Sequence, residues 1–412
     1  MRSVSEKIDE TIHELAAETI EPGEPPEAES SPALRALKAL GTEPWVDTGE
    51  LEKARAVWKR EFGALTTNNT LANQVVQSGV MDGIIRETVV RLGDAGAGLS
   101  EEEKITEIGF VINCKIALRL VQAFKVQVSV ELHPCVARDI GRTLHFARRY
   151  FRVCPDYFII KVPLTPEGFL AVRTLRREGM PINFTLGFSA RQNYLAARLA
   201  NPSYVNVFLG RLNQVVVENG LGSGSGVGEK VTLATQGAIA ELRRQHPDVS
   251  TRLIGASIRG GEQVGFLAGV DVLTIPPPAI EAFSATRPET VKTHFEETVR
   301  PGIDAGDHAA SFEKLWEVPA EFKVFSEVLA QRRDLETMDG DALRRICADE
   351  GVDLFHDFTA ADYEKITGKG KIPRLGDWPG TVALDDLMTQ SALMSFAKDQ
   401  AELDARIRSF LD

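Results

Sequence analysis

Apolar residues in this chain fall into short runs, and the runs alternate with longer stretches of helical spacing. Eight runs read as strands: 45–48, 64–67, 126–131, 157–161, 182–188, 204–208, 253–257 and 272–275. They are rich in β-branched and aromatic residues and are bounded by Gly, Pro, Asn or Ser. The stretches 51–61, 101–124, 136–150, 166–178, 190–200, 231–245 and 261–268 read as the intervening helices. Strands alternating with helices over about 240 residues predict an α/β fold, a (β/α)8 TIM barrel. An open doubly wound sheet is the competitor, but no GxGxxG follows the first strand.

The barrel is expected to occupy 44–284. An N-terminal helical and linker extension precedes it (1–43), and a C-terminal helical extension (285–412) is expected to pack on its outside or over its mouth. Ile8, Ile12, Leu15 and Ala16 keep helical spacing, and 33–40 forms a second short helix. Between them 21–32 is a Pro/Glu/Ser linker, too polar to bury much and expected to be mobile. This extension reads as a dispensable tail or an oligomer contact. Past the barrel, 308–333, 339–349 and 385–411 predict helices, and 353–380 a long loop. The Gly/Ser run 221–229 could cradle phosphate through its N–H groups, but it lacks a Walker lysine and reads better as a flexible loop.

Composition acts by exclusion. Across 412 residues, 43% hydrophobic and 26% charged content is that of an ordinary globular protein. The 47 Lys and Arg against 59 Asp and Glu leave a formal charge of −12, which argues against nucleic acid as a partner. A small phosphate needs only two or three local arginines. No apolar run approaches the ~20 residues that span a bilayer, and the N-terminus has no apolar signal core. The four cysteines are widely spaced without CxxC, as in a cytoplasmic protein with reduced thiols. His133 and Cys135 lie close together, but a metal site needs more ligands, so no metal is expected. A homo-oligomer is left open.

The chemistry gathers at the strand ends, which in such a barrel face the active site. Lys161 closes the fourth run; Pro163 is expected to end strand pairing, and Thr165-Pro166 reads as a helix start. A lysine there either pairs with a carboxylate or snorkels, or loses its proton and becomes a nucleophile for a carbonyl. Position alone favours pairing; the other ends favour the nucleophile. The first strand ends in Asp47, the second in Thr66, Thr67 and Asn68, the third in Glu131. By alternation the fifth presents Asn183 and Thr185; the sixth gives Asn206, Phe208 and Arg211, the seventh Ser257 and Arg259. One polar strand end is commonly a helix cap, but a whole rim of them is hard to explain that way. A lysine, two carboxylates, neutral hydrogen-bonding groups and two arginines suit a Schiff-base enzyme acting on a polyhydroxylated phosphate.

The motifs DTG, TTN, SVEL, IIKVPLTPEG, NFTLGFS, VFLGR, GASIR and TIPP, in that order between Trp45 and Ser284, resemble those of the transaldolase family. The stretch 395–411 looks like that family's closing helix, so the resemblance covers roughly two-thirds of the chain. It implies transfer of a dihydroxyacetone unit in the pentose phosphate pathway, without metal or organic cofactor. The donor would be sedoheptulose 7-phosphate or fructose 6-phosphate, the acceptor glyceraldehyde 3-phosphate or erythrose 4-phosphate. It further implies Lys161 as the Schiff-base lysine, Asp47 as the base at the C4 hydroxyl, and Glu131 acting through a water held by Thr185. Asn68 and Asn183 would hold the dihydroxyacetone hydroxyls, and Arg211, Arg259 and Ser257 the phosphate. Three positions depart from the family. Asn69 replaces the usual proline, which is expected to loosen its loop. Asn206 replaces a common serine beside the phosphate. Phe208 stands where related fructose 6-phosphate aldolases carry tyrosine, which favours transfer over simple cleavage. The competing readings are a class I aldolase releasing free dihydroxyacetone and a non-catalytic sugar-phosphate-binding barrel.

Overall fold

Each apolar run becomes one strand of a single closed sheet. In a computed structural model describing residues 4–21, 23–304, 306–368 and 370–411, the strands are β1 (Glu43–Asp47), β2 (Ala64–Thr66), β3 (Gln127–Glu131), β4 (Phe158–Pro163), β5 (Ile182–Thr185), β6 (Tyr204–Phe208), β7 (Arg252–Ala256) and β8 (Val272–Ile275). All neighbours pair in parallel, and β8 returns to β1, giving an eight-stranded barrel in sequence order. β6 and β8 match the expected bounds. β5 ends earlier than expected because Leu186 takes a left-handed φ of 70° and leaves the ladder. β4 instead runs two residues longer, through Pro163. That proline lies opposite Thr185 on the last rung of the β4–β5 ladder, where its missing N–H does least harm.

The helices between strands begin where the chain supplies caps. Thr165 Oγ1 accepts the Gly168 N–H at 2.9 Å, and Pro166 opens the helix Pro166–Arg177 with its φ already fixed. The helix expected over 136–150 starts later, at Ile140, because Pro134–Val136 forms a separate single turn and Asp139 caps the helix Ile140–Val153. Helices Asn69–Gln77, Asp82–Ala95, Leu209–Glu218 and Pro277–Ser284 are additions that the spacing does not mark.

Both extensions fold onto the barrel. Helix Val4–Ala16 lies against Asp82–Ala95 and Glu101–Phe124. It buries Ile8, Ile12, Leu15 and Ala16, so its apolar stripe is covered by its own chain. The linker is tethered near its end: Lys59 pairs with Glu29 at 2.8 Å, and the Ser31 N–H reaches Glu61 Oε2 at 3.0 Å. The Gly/Ser run is likewise held, its Gly224 N–H bonding the Gly302 carbonyl at 2.9 Å and the Ser225 carbonyl accepting the Gly302 N–H at 2.7 Å. Beyond the barrel, Pro319 divides 308–333 into helices Ala309–Trp316 and Ala320–Ala330. The expected loop 353–380 contains a helix, Ala360–Gly368. The helix Leu384–Arg408 packs on Asn69–Gln77 and crosses the mouth, and its first turns are buried all round. No described helix is long and apolar enough to cross a membrane.

Candidate active site

Parallel register aligns the chemistry at the mouth. Glu131 on β3 lies opposite Lys161 on β4, and Lys161 opposite Asn183 on β5. Lys161 is 4% exposed. Its Nζ donates to the Thr67 carbonyl at 3.1 Å and lies 3.0 Å from Glu131 Oε2. That second contact is close but poorly aligned as a hydrogen bond, and neither Glu131 oxygen has a hydrogen-bond partner. The lysine is therefore both buried and paired.

A cavity of about 180 Å³ opens above it. Asp47, Asn68, Lys161, Asn183, Asn206, Phe208, Arg211, Ser257 and Arg259 all line this cavity. Glu131 and Thr185 stand behind the wall, Glu131 reaching the site through its lysine contact. Thr185 is fully buried and its Oγ1 donates to Asn206 Oδ1 at 3.4 Å. Burial pushes both acids above the usual carboxylate range. At Asp47, Lys161 and Arg259 pull back against that rise; at Glu131, mainly Lys161 does. Two acids so disposed beside an amine can exchange protons with a substrate.

The asparagines form a chain that links β3, β5 and β6 at the cavity. Asn183 Nδ2 donates to Ser129 Oγ at 3.1 Å, and Asn206 Nδ2 donates to Asn183 Oδ1 at 2.8 Å. Asn206 Oδ1 accepts the Leu186 N–H at 3.0 Å. The Leu186 carbonyl accepts Thr389 Oγ1 from the helix Leu384–Arg408 at 2.8 Å. Asn206 thus secures the left-handed residue at which β5 ends, a task a serine is too short to share with Asn183. Asn68 caps the helix Asn69–Gln77 through Oδ1, accepting the Leu71 N–H at 2.9 Å, which leaves its amide hydrogens for other partners. Asn69 does not loosen its loop. It is buried, its Nδ2 donating to Gln400 Oε1 at 2.9 Å, which ties this turn to the helix over the mouth.

At the opposite side of the cavity stand two guanidinium groups. Burial, then the charge of Arg259, pulls Arg211 down to about 10, and one of its buried nitrogens, Nη1, has no partner. Gly210 makes the approach possible: a Cβ there would lie 2.1 Å from the Ser257 carbonyl oxygen. Two mutually repelling arginines with an unsatisfied donor suit a dianion. The pattern gave no warning of Phe396, Lys371 and Gln214, which also line the cavity. Phe396 comes from the helix Leu384–Arg408, and its ring centre is 5.9 Å from Lys161 Nζ and 5.5 Å from the Arg211 guanidinium carbon.

Known proteins bear on this site. Residues 44–355 match the model of a family described as transaldolase/fructose-6-phosphate aldolase, so the likeness continues past the barrel. A transaldolase of Xanthomonas campestris pv. campestris is 29% identical over 245 residues, covering 58% of this chain and 74% of the relative. A probable transaldolase of Caldicellulosiruptor saccharolyticus is 38% identical over 189 residues, 45% of this chain and 73% of its own. One of Nitrosopumilus maritimus is 29% identical over 205 residues, 49% and 78% of the two chains. With the matched region covering the whole barrel and well over half its length, the chain belongs to the transaldolase/fructose-6-phosphate aldolase family.

Proposed function

We propose that this protein is a transaldolase, moving a dihydroxyacetone unit from a ketose phosphate to an aldose phosphate through a Schiff base on Lys161. The observation that carries this reading is the buried Lys161 amine between Glu131 and the cavity, with Asp47 and the Arg211–Arg259 pair on the same cavity. Lys161 gives a proton to Glu131, 3.0 Å away, and the freed amine attacks the donor's C2 carbonyl. The carbinolamine then loses water, with Glu131 handling the protons through a water held by Thr185. Asp47 removes the C4 hydroxyl proton, the C3–C4 bond breaks, and an aldose phosphate leaves with its phosphate released from the arginines. The electron pair stays on the enamine, whose hydroxyls Asn68 and Asn183 hold. An acceptor aldehyde enters, the enamine carbon forms the new C–C bond, and Asp47 returns its proton to the new hydroxyl. Hydrolysis of the imine frees Lys161. Covalent capture divides one difficult cleavage into easier steps.

Phe208 favours transfer over release of free dihydroxyacetone. Its ring packs with Phe188 and Phe396, centroids 5.7 and 6.5 Å away, and brings no hydroxyl to protonate the enamine. Borohydride trapping with fructose 6-phosphate tests the Schiff base. A dihydroxyacetone-sized addition is expected on the Lys161 peptide, and none in Lys161→Ala. No addition to folded protein across several ketose phosphates would overturn the reading. Rapid cleavage without an acceptor aldose would turn it to an aldolase.

A further inference from the structure

A second cluster lies outside the barrel, in the turn after Glu131. Three of the four cysteines are buried, and burial raises their thiols: Cys154 to about 11, Cys347 to about 12, Cys114 well above the ordinary value. Cys135 is exposed. Arg142 Nη2 lies 3.4 Å from its sulfur, and its backbone N–H meets His133 Nδ1 at 3.1 Å. On the far side of the imidazole, His133 Nε2 is 3.2 Å from Asp404 Oδ2. These four side chains line a groove of about 770 Å³ whose walls include Phe146, Ile105 and Arg408.

We propose that Cys135 is a thiol–disulfide exchange site, at which a low-molecular-weight disulfide enters the groove and leaves one half bound to the Cys135 sulfur. The electrostatics agree. Desolvation alone would raise this thiol, but His133 and Arg142 outweigh it and draw it down. Desolvation also opposes charge on His133, yet Asp404 and Cys135 outweigh it and lift the imidazole to about 9. The step balances without an added oxidant. The Cys135 thiol releases its proton to solvent, the thiolate attacks one sulfur of the disulfide, the S–S bond breaks, and the departing thiolate takes up a proton from solvent.

The site is wired to the mouth of the barrel. Asp404 Oδ1 accepts Gln400 Nε2 at 2.8 Å, and Gln400 Oε1 accepts Asn69 Nδ2 at 2.9 Å, beside Asn68 in the cavity wall. A group on Cys135 crowds His133 and weakens its hold on Asp404, releasing the end of the helix that carries Phe396. The exchange itself is independent of the sugar-phosphate chemistry.

The test uses the full chain and glutathione disulfide at pH 7, read by intact mass and peptide mapping. One glutathionyl addition is expected, on the Cys135 peptide, about 3- to 10-fold faster than on the same cysteine in the urea-unfolded chain. The larger thiolate fraction sets the gain, and lower intrinsic nucleophilicity takes part of it back. Asp404→Asn and the exposed, fold-neutral Arg142→Met should each slow the addition at least about 2-fold, and Cys135→Ser should abolish it. Backbone amides of 400–408 should exchange faster in the adduct. Addition no faster than in the unfolded chain, or unchanged in Arg142→Met, would overturn the exchange site. Unchanged amide exchange in the adduct would overturn its link to the helix.

Discussion

The helix Leu384–Arg408 is fastened at its first turn by a buried ion pair, and breaking that pair has a calculable cost. Arg191 donates from Nε and Nη2 to the two oxygens of Asp385, at 2.8 and 2.9 Å, and from Nη1 to Asp353 at 2.6 Å. The side chains of Arg191 and Asp385 are 7% and 1% exposed. Arg191→Met keeps the aliphatic stem but removes every charge-assisted bond. Asp353 retains Lys314 at 2.6 Å, and Asp385 retains the Ser189 hydroxyl at 2.7 Å, the Asp386 N–H at 3.1 Å and its place at a helix N-terminus, but no cation. The loss is then one uncompensated buried carboxylate, about 3–5 kcal/mol. A domain of ordinary stability survives that, so the helix should detach before the barrel unfolds. Urea unfolding gives the magnitude, and hydrogen exchange of 384–396 gives the location. Adding Asp385→Asn to Arg191→Met removes the stranded charge while keeping an acceptor for Ser189, and should recover about 1–3 kcal/mol. A loss below about 1 kcal/mol for Arg191→Met, or a coupling below about 0.5 kcal/mol in the double-mutant cycle, would refute this account of the anchor.

Other outcomes rest on single groups. Burial lifts Asp386 to about 7, with Asp385 adding to the rise against the His356 N–H and Gln390. Between pH 4 and 7 the native state holds a proton that the unfolded chain has released, so stability falls as pH rises through that window. Asp386→Asn, still able to accept the His356 N–H, should be more stable than the parent at pH 8 by up to about 4 kcal/mol and show no advantage at pH 4, by urea unfolding at both. Inorganic phosphate at 100 times its dissociation constant should stabilise the parent by about 2.7 kcal/mol. Arg211→Gln should lose that shift in thermal melts and raise KM for phosphorylated substrates more than it lowers kcat. Gly210→Ala should also raise KM and cost about 1–3 kcal/mol, since its Cβ must displace the Ser257 backbone; an unchanged KM would argue against this turn shaping the phosphate side.

The strands were legible because each is a dense apolar run with a turn residue behind it, and their ends carried the polar set now found around one cavity. What escaped had no such local mark. The early stop of β5 depends on Leu186 adopting a backbone usually left to glycine, held there by Asn206 and Thr389 from distant parts of the chain. The helix Leu384–Arg408 was expected, but nothing marked Phe396: Asp385, Asp386, Gln390 and Ser391 are buried beside Leu387 and Leu393, so no apolar stripe points to what the helix covers. Asn69 read as a loosened turn because its partner, Gln400, lies at the other end of the sequence. Cys135 read as an ordinary thiol because Asp404 and Arg142 come to it only through folding.

The wall carrying Phe396 has a consequence for the order of assembly. All eight barrel strands are synthesised by Ile275, whereas this wall emerges only with the helix Leu384–Arg408. A nascent chain paused between the two already owns Lys161, Glu131, Asp47 and both arginines, yet its mouth lacks a roof. Until translation reaches Phe396, the Lys161 amine lacks the ring that stands beside it in the finished protein. Synthesis rate across that interval therefore sets how long each new molecule keeps an uncovered mouth.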